Sequence, residues 1–180
     1  VHTDGDAMAV PGEIHELGAE ELAALRDANN SDTLKVLNLR KILGVKVDEE
    51  AGAKPYLIPI GERARALADS YQDRQLTTAA ALEAFASLAG EVVQAESERE
   101  SLGLSETAYG VHLTLRLHGV TAEPEVAREL DALFEAYPDS EWDTQQKGKL
   151  RTALYKRLSG VVEPGDLVSV TNALLSLTRP

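Results

Sequence analysis

The sequence predicts an all-α protein: a single bundle-like helical domain of about seven or eight helices with short loops. Three observations predict it. Apolar residues recur at intervals of three and four along most of the chain, the spacing that lines one face of a helix. Hydrophobic residues make up 43% and aromatics only 4%, a Leu-, Ala- and Val-rich core that suits packed helices better than a β-sandwich. Strand-like alternation is confined to scraps such as Val45-Lys46-Val47, too short to build a sheet. A length of 180 residues fits one ordinary domain, and there is no internal repeat and no low-complexity tract.

Residues 1–16 hold Gly5, Pro11 and Gly12 among scattered acids and read as a linker or flexible arm; residues 17–180 read as the helical domain. A first helix follows Gly18, with Leu22 and Leu25 on its face and Asn29-Asn30 as its stop. Ser31-Asp32 caps a second helix, whose face carries Leu34, Leu37, Leu39, Ile42 and Leu43 and which Gly44 is expected to end. The segment through the Lys54-Pro55 step is expected to be irregular. A third helix starts at Pro59 or Ile60 and presents Ala64, Leu67, Ala68 and Tyr71.

The junction YQDRQLTT, residues 71–78, is a stop followed by a start. Thr77 or Thr78 offers a hydroxyl to an orphan backbone N–H, and the Arg74 guanidinium is expected to pin the two helices through carbonyls or acids. The fourth helix carries Leu82, Phe85, Leu88, Ala89, Val92 and Val93. It runs through an acidic stretch to Gly103, a left-handed cap with Leu104 folding back on the last turn. Ser105 caps a fifth helix bearing Tyr109, Leu113 and Leu117, stopped by Gly119. Pro124 suits the first turn of a sixth, with Val126, Leu130, Leu133, Phe134 and Tyr137, ended by Pro138. A seventh runs from about Glu141 through Leu158 on Leu150, Leu154 and Leu158. A last one spans about Pro164 to Leu177.

Charge narrows the function. A net charge of −12 repels phosphate backbones, so the chain as a whole is a poor grip for DNA or RNA. No cysteine is present, which removes disulfides, thiolate nucleophiles and Cys-type zinc sites and agrees with a cytoplasmic setting. No run approaches the roughly 20 apolar residues of a membrane span, and the N-terminus lacks the pattern of a signal peptide. Val1 stands where an initiator Met would be, which raises the expectation of a longer parent chain.

Catalytic and cofactor motifs are missing. The sequence has no GxxxxGK[ST], no GxGxxG after a strand, no HExxH and no GxSxG. His2, His15, His112 and His118 lie apart, and the six-residue step from His112 to His118 does not place two ligands on one helix face, so solvated or packing roles are expected. Glu96, Glu98 and Glu100 read as a solvated acidic face, and Asp48-Glu49-Glu50 lacks the oxygen spacing of a calcium loop.

One segment runs against the acidic trend. Between Glu141 and Gly160 there are five cations, Lys147, Lys149, Arg151, Lys156 and Arg157, against two acids. Such a stripe is either an amphipathic helix paired with acidic neighbours or a docking surface. Trp142, the sole tryptophan, sits beside it; a lone Trp is more often core filler than an interface anchor.

Taken in order, five stretches resemble a known family. They are DTLKVLNLRKIL (32–43), KPYLIPIGERARAL (54–67), YQDRQLTTAAALEAF (71–85), ESLGLSETAYGVH (100–112) and WDTQQKGKLRTALYKRL (142–158). Their order and spacing resemble the C-terminal helical region of the restriction (R) subunit of type I restriction–modification enzymes. The chain departs from that pattern at Ala79-Ala80-Ala81, where the family commonly has acids, at Tyr109-Gly110-Val111, and in its last helix.

The resemblance implies a non-catalytic docking domain. It would attach an ATP-dependent translocase and endonuclease to the methyltransferase core through the M subunit, with the S subunit reached through M. The parent subunit would use ATP and Mg in domains upstream, so no cofactor or metal is expected in this segment, and DNA would be met only indirectly. The residues expected to bind the partner are Trp142, Lys147, Lys149, Arg151, Lys156 and Arg157. Two alternatives stand beside this: an intramolecular scaffold packing on the upstream motor domains, and a nucleic-acid contact through the basic helix 144–158. A small enzyme of unknown type is the least favoured.

Overall fold

The computed structural model describes residues 17–178, and the expected arm, residues 1–16, lies outside them. Among the described residues there are eight α-helices and no strand. They are α1 (Ala19–Asp27), α2 (Asp32–Glu50), α3 (Leu57–Gln72), α4 (Thr78–Leu102), α5 (Glu106–Leu117), α6 (Pro124–Ala136), α7 (Thr144–Leu158) and α8 (Leu167–Leu175), followed by a short 3₁₀ turn, Ser176–Thr178. The all-α expectation holds.

The helices gather in two sets that follow chain order. In the first, α2, α3 and α4 pack on one another and α1 lies on α4. In the second, α6 packs on α5 and α7, and α8 packs on α7 and α5. The contact of α3 with α5 joins the sets, and one apolar core runs through both. Leu39, Leu43, Leu57, Ile60 and Phe85 fill its first half; Leu115, Leu130, Leu150, Leu154, Leu158 and Leu174 fill its second.

The helix ends follow local chemistry. Ser31, Thr77 and Ser105 each accept the N–H three residues on, from Leu34, Ala80 and Ala108. Pro124 occupies the first turn of α6, where its missing N–H costs nothing. Gly103 takes φ +60°, with Leu104 N–H donating to Arg99 O at 3.2 Å and Gly103 N–H to Glu100 O at 3.0 Å, and Leu104 is buried against the core. Gly119, at φ +72°, closes α5 in the same way through Val120 N–H to Leu115 O.

The YQDRQLTT junction uses this device without a glycine. Gln75 N–H donates to Ser70 O and Arg74 N–H to Tyr71 O, with Arg74 in the left-handed region at φ +57°. The side chain expected to pin the helices is exposed. The link across the junction is instead Tyr71 Oη to Thr78 Oγ1, at 3.3 Å.

Several boundaries correct the sequence reading. Gly44 does not end α2, which continues to Glu50 with Gly44 exposed on its surface. The reason is tertiary: Val47, one turn on, is buried against α3 beside Gly61, and that packing outweighs the roughly 1 kcal/mol helix cost of a glycine. Val45-Lys46-Val47 is therefore helical, and the expected irregular stretch shrinks to the turn before Leu57. The third helix begins at Leu57, so Pro59 sits inside its first turn rather than at its start. The seventh begins at Thr144 rather than near Glu141, and the last is shorter than expected.

Two stability predictions follow from the backbone. A Cβ on Gly61 would lie 2.6 Å from Val47 Cγ1, and a β-branched neighbour in a packed seam cannot swing aside. Gly61→Ala should cost about 1–3 kcal/mol in urea unfolding. Arg74→Gly relieves a left-handed non-glycine residue and should raise stability by about 0.5–1 kcal/mol in the same measurement.

Candidate functional site

The basic segment resolves into two groups of cations. Helix α7 buries Leu150, Leu154 and Leu158 completely, at steps of four that form its inner seam. Asp143 starts the helix by accepting N–H groups from Gln145 (2.7 Å) and Gln146 (3.3 Å). Arg151 and Arg157 flank the seam on opposite sides. Arg151 Nη1 donates to Asn172 Oδ1 of α8 at 2.8 Å, and Arg157 Nε donates to Glu129 Oε2 of α6 at 2.6 Å. These two residues fasten α7 to its neighbours, each link worth roughly 0–1 kcal/mol at this exposure.

Lys147, Lys149 and Lys156 behave differently. All three are exposed, and none forms an ion pair with another described residue. Lys149 and Lys156 are seven residues apart, so they share the side turned away from the leucine seam, about 10 Å apart along the axis. Trp142 corrects the expectation of core filler: it is 74% exposed. Its turn is ordered by backbone bonds from Trp142 N–H and Asp143 N–H to Asp139 O, at 3.1 and 2.8 Å. Of the six residues expected at a partner surface, the structure thus leaves four outward and commits Arg151 and Arg157 to internal links.

A second polar cluster went unread. Glu96 and Glu98 are not a solvated face; they turn toward α5 and the turn before α3. Tyr56 donates to Glu96 (3.2 Å), Tyr109 donates to Glu98 (2.6 Å), and Arg116 donates to Glu98 (2.6 Å). Arg99 donates to Glu96 at 2.6 Å and to Leu104 O at 3.0 Å, and lies 3.4 Å from Glu106. The Tyr56 and Tyr109 rings meet edge to face, centroids 5.3 Å apart at 81°. Only Glu100 of the three acids stays exposed as expected. The signal available in the sequence was the pair of tyrosines, which burial obliges to find acceptors.

Electrostatics follow the contacts. Burial first, then the neighbouring carboxylates, raise both phenols, so they remain neutral donors. The Arg99 hydrogen bond holds Glu96 below the usual carboxylate range. Burial pushes Glu98 up, but the bonds from Tyr109 and Arg116 together outweigh it, and the net shift is down. Glu50 is lowered chiefly by its bond from Lys46. His112 stacks on Tyr109 at 6.3 Å, half-buried, with a buried Nδ1 that has no partner. Burial and then Arg116 lower its pKa against the opposing pull of Glu98. It is neither solvated nor placed as a ligand, and no group of three or more His, Asp or Glu among the described residues could hold a metal ion. No helix of the described residues is long and apolar enough to cross a membrane.

No protein-family model, curated protein or solved structure matches the chain.

The pH dependence of stability follows with its sign. The folded His112 resists the proton that an unfolded histidine takes up near 6.5, so stability should fall as pH drops below that value. Glu50, Glu96 and Glu98 have folded values below 4.5, so their stabilisation, full above that value, is lost on further acidification. Thermal melts of His112→Gln should lose the upper limb of the decline and keep the lower one.

Proposed function

We propose that this chain is a non-catalytic docking domain of a type I restriction enzyme R subunit, attaching the ATP-dependent translocase and endonuclease to the methyltransferase core. The observation that carries the reading is exposed Trp142 beside α7 with Lys149 and Lys156 on the side of the helix turned from the leucine seam, cations that form no ion pair with another described residue, on a chain of net charge −12; Lys147 is exposed near the start of the helix on the seam side. A surface opposed in sign to its own molecule favours a partner of opposite charge and speeds encounter with it. The order of sequence stretches that resemble the R subunit supplies the partner: the M subunit, with S reached through it. ATP and Mg belong to domains upstream in this reading, the setting is cytoplasmic, and DNA is met only through the assembled complex.

Co-elution of the chain with its cognate methyltransferase core on size exclusion, at low and high salt, tests the reading. A stable complex is expected, weakened by salt. Combined Lys147→Glu, Lys149→Glu and Lys156→Glu should weaken it about tenfold or more, whereas Arg151→Ala with Arg157→Ala should leave it nearly intact. A folded, monomeric chain that does not co-elute would overturn the docking role and favour packing on the motor domains. A complex indifferent to the triple reversal would move the contact to another face.

A further inference from the structure

Trp142 is the largest apolar side chain left in solvent. At 74% exposure it stands apart from the other large aromatics: Tyr56, Phe85, Tyr109 and Phe134 are buried, and Tyr71, Tyr137 and Tyr155 are half-buried. It is also held in place. Asp139 O accepts from both Trp142 N–H and Asp143 N–H, and Asp139 Oδ2 accepts from the Gln146 side chain at 3.1 Å. Ser140 in the same turn is buried, and Asp143 fixes the turn to the start of α7. The backbone beneath the indole is therefore ordered before any partner arrives, so binding there costs little further chain entropy. Burying an indole removes on the order of 150–250 Å² of surface from water, enough to anchor an interface.

We infer that Trp142 anchors this surface by entering an apolar recess on a partner protein that carries acidic residues to one side of the recess, those carboxylates meeting Lys149 and Lys156. The inference rests on the docking reading above and adds what the partner must present. Charge decides between protein and nucleic acid. Stacking a base on Trp142 would draw phosphates toward Asp139, Glu141 and Asp143, which surround the indole in sequence, on a chain already at −12. A protein surface avoids that conflict, because it can set its apolar recess at the Trp142 end and its carboxylates farther along α7. The roughly 10 Å between Lys149 and Lys156 matches two turns of a facing helix with acids seven residues apart.

The test uses the chain with 5-fluorotryptophan, which gives one ¹⁹F resonance because Trp142 is the only tryptophan. Adding unlabelled methyltransferase core should move that resonance, and Trp142→Ala should weaken co-elution about tenfold or more while leaving the thermal melt unchanged. A complex that forms without moving the resonance, or that tolerates Trp142→Ala, overturns the anchor and leaves the docking role standing. Absence of any complex overturns both. A resonance that moves with duplex DNA and not with the core overturns the protein partner in favour of nucleic acid.

Discussion

The structure depends on one close approach: the backbone of Pro55 and Tyr56, in the turn before α3, lying against Gly110 of α5. A Cβ at Gly110 would sit 3.1 Å from Tyr56 N, so the two segments are in close contact and a side chain there would push the backbone of the turn away. That approach sets Tyr56 and Tyr109 edge to face and aims both phenols at α4. The helices of the first set and those of the second meet across this seam. The missing side chain of Gly110 thus has a definite job.

Polar groups along this seam constrain geometry more than they add stability. Glu98 loses part of its hydration to α5 and Glu96 to the turn before α3, and Tyr109 with Arg116 for the first and Tyr56 with Arg99 for the second replace it. Such exchanges are close to neutral in free energy when complete and costly when any member is missing. The cluster therefore penalises misplacement: a helix α5 shifted by one residue would take Tyr109 and Arg116 away from the half-buried Glu98. Leucines alone, adaptable in rotamer and packing, would not discriminate registers so sharply.

Much of the fold was legible because helix ends are local events. Ser31, Thr77, Ser105, Pro124 and Gly103 act within one turn of themselves, so a few residues of sequence suffice to place them. Gly44 misled because its effect is decided by Val47 against Gly61, a contact 14 residues apart in sequence. The candidate surface was legible only in outline. Counting cations located α7, but separating Arg151 and Arg157 from the three lysines requires knowing that Asn172 and Glu129 lie beside them. Residue type alone favours a buried Trp142, while its place in the expected partner-binding set favours an exposed one; the turn ordered by Asp139 is not visible in either.

The order of the helices in space follows their order in the chain. Each set is one continuous stretch of sequence, α1 to α4 and α5 to α8, and most neighbours in the fold are also near in sequence. Loops that close such contacts are short, so little chain entropy is spent in forming them, and helical proteins of this kind gather quickly. The packing of α2 on α4, of α1 on α4 and of α8 on α5 is non-local within the stretches, and the meeting across Tyr56 and Tyr109 is non-local between them. The edge-to-face pair takes one ring from each stretch, so it forms only when both are present. In synthesis α1 to α4 leave the ribosome before α5 does, so Tyr56 is outside before the ring it meets.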